Sequence, residues 1–170
     1  MNLMKIGLAL IILAGSICNA TAQRIASDKT TKDGVRIVST NAVPVYNGQL
    51  FSVAASAMIK SSDTAYFIGF YKQLLDLGTD VKNDSLQNSC TITLADGSKI
   101  SGEYVQIIQV SGNDILSYHF SNNDFKKLAL QDAVNFSCKT PVTDNYDFKI
   151  LNRFQGNIKN VVTKILNKLR

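Results

Sequence analysis

Apolar and polar positions alternate along most of this chain, and the alternation predicts strands. Phe51, Val53, Ala55, Ala57 and Ile59 interleave with Ser52, Ala54, Ser56, Met58 and Lys60, the period of two of a half-buried strand. Ser61-Ser62-Asp63 reads as a turn, and Thr64–Lys72 as the returning strand. Both faces of that second strand are apolar or aromatic, which predicts a central place in the sheet. Val35–Val38 and Val43–Tyr46 are shorter β-branched runs. Pro44 sets the second at an edge or a bend, because proline cannot donate to a ladder. Cys90–Ala95 and Ser98–Tyr104 flank Asp96-Gly97, a dipeptide suited to the two positive φ angles of a type I′ hairpin turn. The strand runs on to Val110, but its apolar parity blurs at Val105, which predicts a bulge or bend there. After the turn Ser111–Asp114 come a strand over Ile115–Phe120 and a short helix over Phe125–Leu130, capped from within Ser121–Asp124. A strand over Ala133–Lys139 follows directly.

Three stretches break this rhythm. Near the end, Phe148, Leu151, Phe154, Ile158, Val161, Val162, Ile165 and Leu169 recur at spacings of three and four, which predicts one amphipathic helix over 147–169. Gln73–Ser89 is less patterned: Leu74, Leu75 and Leu77 allow a short helix that Gly78 could end, and loop chemistry follows. Gln23–Gly34 is polar and reads as a flexible lead-in. The expected fold is therefore mostly β, an antiparallel sheet of sandwich or barrel form with a C-terminal amphipathic helix packed on it. One strand-rich domain would span 35–170. Leu151, Phe154, Ile158, Val162 and Ile165 should be buried, and Lys149, Arg153, Lys159, Lys164 and Lys168 exposed.

Residues 1–22 have the build of a secretory signal peptide. Lys5 supplies a positive start, Ile6–Cys18 is a run without charge, and Ala20-Thr21-Ala22 offers small residues for a peptidase, so the exported chain would begin at Gln23. The run is too short to cross a bilayer, which takes roughly 20 apolar residues. Lipid attachment at Cys18 would want a small residue before it, and Ile17 stands there. Export to the periplasm or beyond changes the reading of the other two cysteines, because oxidising compartments favour disulfides. Cys90 and Cys138 each lie on the apolar parity of a predicted strand. They read either as a disulfide or as two buried thiols that pack like small hydrophobes.

Composition narrows the chemistry. Apolar residues make up 45 % of the 170, enough for a core, and charged residues only 18 %. With fifteen Asn and a single glutamate, Glu103, a charged coiled coil or helical bundle is excluded. His119 is the only histidine, and no Gly-x-Ser-x-Gly elbow accompanies it. It shares a parity with Ser117 that reads as the solvated face. Glu103 shares an outward parity with Lys99 and Ser101 and suits either solvent or a cross-strand ion pair. The aspartates fall largely in turns and caps, such as Asp63, Asp96, Asp114 and Asp124. Asp76, Asp80, Asn83 and Asp84 lack calcium-loop spacing, and two distant cysteines with one histidine do not make a zinc site. No phosphate-cradling glycine motif occurs, so no metal or other cofactor is expected. Tyr66, Phe67, Phe70 and Tyr71 form an aromatic group that reads mainly as core, with Tyr66 and Tyr71 as candidates for a ligand platform. Residues 147–170 hold six basic residues against Asp147, while 23–146 are nearly neutral. That asymmetry suits either a packed helix with its charges in water or a helix lying on anionic lipid. Nucleic acid is not an expected partner.

The hairpin Thr91–Ile100, with Leu94 just ahead of Asp96-Gly97, and the capped stretch Ser121–Leu130 followed at once by Ala133–Lys139, give an order of elements that resembles small exported proteins of unassigned function from Bacteroides-like bacteria. The resemblance covers roughly residues 50–165. Arginine and glutamate are common in the strand after the short helix in those proteins; Val134–Cys138 has neither. The resemblance implies a fold and an exported setting, and it carries no catalytic residues. The expectation is an exported, non-enzymatic binding or interaction module whose partner is a cell-envelope component or a glycan. The alternative is a peripheral membrane protein held by residues 147–170.

Overall fold

The computed structural model describes residues 24–46, 51–73, 89–110, 113–139 and 145–170. They form strands β1 (Ile25–Thr30), β2 (Arg36–Thr40), β3 (Val43–Tyr46), β4 (Phe51–Lys60), β5 (Asp63–Gln73), β6 (Ser89–Leu94), β7 (Lys99–Val110), β8 (Asn113–Phe120), β9 (Ala133–Lys139) and β10 (Asn145–Lys149). Helix α1 (Asn122–Leu128) lies between β8 and β9, and a 3-10 turn (Asn152–Phe154) leads into α2 (Gly156–Lys168). All ten strands belong to one sheet, in the order β1-β2-β4-β5-β8-β7-β6-β9-β10, with β3 also on β4. Every pairing is antiparallel.

β4 organises one half of the sheet. Its first residues pair with β3, its last with β2, and its other edge pairs with β5 along the whole strand. β5 then joins β8, not its successor β6. The sheet curls strongly: Phe148 of β10 lies 4.8 Å from the Tyr46 ring of β3 and 5.0 Å from the Phe51 ring of β4. A sandwich would need two sheets, whereas here one sheet curls about a helix. α2 lies against β2, β3, β4 and β9 and sinks Ile158, Val161, Val162 and Ile165 wholly into the concave core. α1 adds Phe125 and Leu128, with Phe125 stacked 4.5 Å from Tyr66. Its start is set by Ser121, whose hydroxyl accepts the Asp124 N–H at 3.1 Å.

This is the mostly β fold with a packed C-terminal helix that the pattern predicts, with three corrections. The stretch 23–34 is not a flexible lead-in, because β1 pairs with β2 along its length. Its polar sequence reflects an outermost strand whose side chains are largely exposed. The helix does not span 147–169: Asn145–Lys149 is a strand on β9, and α2 begins only at Gly156. Phe148 suits a period of two with Ile150 as well as a helical stripe with Leu151, and the unpaired edge of β9 favours the strand. Leu151 is accordingly extended and 38 % exposed, and Phe154 is half-buried. On the polar side, Lys149, Arg153 and Lys168 are exposed, while Lys159 and Lys164 are half-buried. The Asp96-Gly97 hairpin is not type I′, since Gly97 (φ 84) alone has positive φ there. Gly97 N–H donates to the Leu94 carbonyl at 3.0 Å, and the Asp96 carboxylate accepts from Ser98 N–H at 2.9 Å. That makes a type I turn followed by a left-handed glycine. The Val105 irregularity is a bulge, with a register shift between Tyr104 and Gln106. The Leu74–Leu77 helix and the leader 1–22 lie outside the described residues.

The two ends of the described chain are tied together at Asp28. Arg36 Nε and Lys168 Nζ approach its carboxylate at 2.9 and 3.1 Å. Hydrogen bonds from Arg36, then from Lys168, lower its pKa from 3.8 to about 2. A depressed folded pKa adds stability that is present above the unfolded value and lost as pH falls through the folded one. Asp28→Asn should therefore lower the urea midpoint near neutral pH. The gap from wild type should close as pH drops from about 4 to about 2, and narrow in high salt because the site is exposed. Urea curves of both proteins across that range check it.

Candidate functional site

The strands carry a second apolar cluster on the side away from α2. Val35, Ile37, Met58 and Phe67 are buried together there, with Ala65 and Val105 packed against them. The pleat explains this. Along β4, Val53, Ala55 and Ala57 face the α2 core, so Ser52, Ala54, Ser56 and Met58 face outward. Along β5, Tyr66, Ile68 and Phe70 face the core, and Phe67 and Tyr71 face outward. The bulge at Val105 turns two successive residues to one side, so Val105 joins the cluster while Gln106 stands opposite Ser117. Ser39, Ser56, Gln106 and Ser117 are buried polar residues on this same face.

His119 and Glu103 stand at the rim, directly opposite each other in β8 and β7. His119 Nδ1 is 3.8 Å from Glu103 Oε2, beyond hydrogen-bond reach, and the imidazole tilts against the Phe67 ring at 5.6 Å. Glu103 is 85 % exposed, as its parity predicts, and His119 30 %. Ser117 is not solvated as its parity with His119 suggested; it is wholly buried, with no hydrogen-bond partner for Oγ. Among the described residues no three His, Cys, Asp or Glu side chains gather to hold a metal ion.

The two candidate ligand tyrosines do not make a platform. Tyr66 is buried in the core beneath α1, whereas Tyr71 lies on the opposite face with its hydroxyl buried. Burial pushes the Tyr71 hydroxyl up to about 12, so it stays protonated at any physiological pH. The cysteines are brought together: Cys90 in β6 and Cys138 in β9 are direct cross-strand partners, both buried and both thiols in this structure. The basic C-terminal segment is tied to the body by two of its lysines. Lys159 meets Asp132 at 3.5 Å, Lys168 meets Asp28, and Arg153 lies over the Phe154 ring at 4.6 Å. None of the described helices is long and apolar enough to cross a membrane.

The outer cluster is the part of the site that periodicity did not single out. Met58 sits on the parity shared with serines, and Val35 and Ile37 lie in a run too short to show two faces. The one visible signal was the two-faced character of Thr64–Lys72. No family model matches the chain, and neither the curated proteins nor the solved structures provide a match to it.

Proposed function

We propose that this chain is an exported, non-enzymatic β-domain of the cell envelope that works by binding, and that its working surface is the outer face of β2, β4, β5, β7 and β8. The observation that carries this reading is the second apolar cluster at Val35, Ile37, Met58 and Phe67. The concave face, filled by α2, already supplies the core, so this second cluster gives the opposite face a packed apolar base of its own. The side chains are nearly fully buried here, so the rim residues Lys60, Glu103 and His119 are where a partner first meets the face. A polar or charged protein surface suits this rim better than a glycan, whose recognition calls for exposed aromatic rings side by side, because Tyr66 and Tyr71 lie on opposite faces. The membrane-surface alternative loses its main support, because the stripe of α2 is wholly engaged in the core.

A photo-crosslinking residue in place of Glu103 or Lys60, in cells making the full chain, tests this reading. The expected result is one discrete adduct from both rim positions and none from the same probe at Lys126 on α1. Equal adducts from all three positions, or none from the rim, reject the surface. N-terminal sequencing of the exported chain should start at Gln23; an intact Met1 rejects export.

A further inference from the structure

The ladder around Cys90 defines how the two thiols meet. Leu94 N–H donates across the hairpin to the Ser98 carbonyl at 2.9 Å, so Leu94, Ile92 and Cys90 turn their backbone groups toward β7. On the other side, Ile150 N–H donates to the Val134 carbonyl at 2.9 Å, so Val134, Phe136 and Cys138 turn theirs toward β10. Cys90 and Cys138 are therefore a non-hydrogen-bonded antiparallel pair. Such pairs have opposed Cα atoms about 4.5 Å apart and their side chains closest. That separation falls at the short end of the range a disulfide spans. Both side chains point into the core. Gly102 leaves room above the Cys90 sulfur, which a Cβ there would meet at 2.8 Å, and the Tyr118 hydroxyl lies beside Cys138.

We propose that Cys90 and Cys138 are an oxidation site that is open only while β6 and β9 are coming together, and that the bridge, once made, is a sealed staple between them. The exported setting proposed above matters only as the source of oxidant. In the unpaired chain, one cysteine thiolate attacks a disulfide-bearing oxidant, forming a mixed disulfide and releasing one thiol of the oxidant. The second thiolate attacks that cysteine sulfur, closing the Cys90–Cys138 bond and expelling the oxidant's other thiol. The two protein thiols lose two electrons and two protons, and the oxidant's disulfide gains both as two thiols. In an envelope compartment the oxidant is a disulfide-exchange protein; in a test it is glutathione disulfide. In the folded state the route is closed, because the sulfurs lie under the sheet and burial holds the Cys90 thiol in its unreactive protonated form.

The test uses the chain from residue 23 onward, in two arms with the same glutathione and glutathione-disulfide buffer. In one arm the chain is refolded from urea in that buffer; in the other it is folded first with reductant and then transferred. Both are then unfolded and alkylated, and counted by mass. The expected result is no alkylated cysteine in the first arm and two in the second. The bridged form should also show a folded-to-unfolded ratio about a hundredfold to a thousandfold larger than the reduced form. Two alkylated cysteines in the refolded arm overturn the site. Equal oxidation in both arms overturns its restriction to folding. The same alkylation of protein recovered from the envelope should find no free thiol. A cleaved leader with both thiols reduced counts against the site, whereas an uncleaved leader counts against export and leaves the in vitro result standing.

Discussion

Deleting residues 156–170 is expected to leave a chain with no cooperative unfolding transition and little soluble material. Ile158, Val161, Val162 and Ile165 are each fully buried in the core, and burying such a side chain is worth about 1.5–3 kcal/mol. Together the four contribute about 6–12 kcal/mol, as much as the whole net stability of a typical domain. The deletion would also bare the inner faces of β2, β3, β4 and β9. Val162→Asp should act in the same direction at smaller scale, costing about 4 kcal/mol or more by placing a carboxylate where nothing can pair with it. Urea titration followed by circular dichroism reads both variants. A soluble, cooperatively folded remnant that had lost only its affinity for anionic vesicles would instead restore the membrane-surface reading.

Gly102→Ala should destabilise the protein by about 2–3 kcal/mol without touching any surface. A Cβ there would sit 2.5 Å from Phe120 Cζ and 2.8 Å from Cys90 Sγ. Phe120 is a buried ring, so it can give way only by moving within the core. Gly97→Ala is the comparison: it meets open space, and only its φ of 84 resists a side chain, so about 1 kcal/mol is expected. Phe120→Leu should relieve the Gly102→Ala penalty more than Cys90→Ala does, because the ring edge is the closer atom. A double-mutant cycle on urea midpoints measures that difference.

Local pattern carried the strands well wherever apolar and β-branched residues recur within a short run. Val43–Tyr46, Phe51–Lys60 and Ala133–Lys139 have in the structure the bounds that alternation predicts. It missed β1 because an outer strand with exposed side chains has no apolar parity to display. It misplaced the start of the last helix because Phe148 fits two periods at once, strand-like with Ile150 and helix-like with Leu151, and only the neighbouring strand decides between them. Partner choice was out of reach for a different reason. Nothing within Thr64–Lys72 says that it pairs with a strand some fifty residues onward and not with the next one. The same limit applied to the cysteines: parity put both sulfurs inward, but their facing position depends on the β6–β9 register, a property of two distant segments. The outer cluster likewise arises only after β2, β4 and β5 are aligned.

α2 follows all ten strands in the chain, yet it is the element about which they curl. In N-to-C synthesis the strands therefore emerge before the surface they close upon exists. Until residues 156–168 appear, the growing polypeptide is an apolar trough with unpaired edges, the kind of intermediate that aggregates unless a chaperone holds it. Its contacts are mostly long in sequence separation, which slows spontaneous collapse further. A chain built this way commits to its native form only after its last helix has been made.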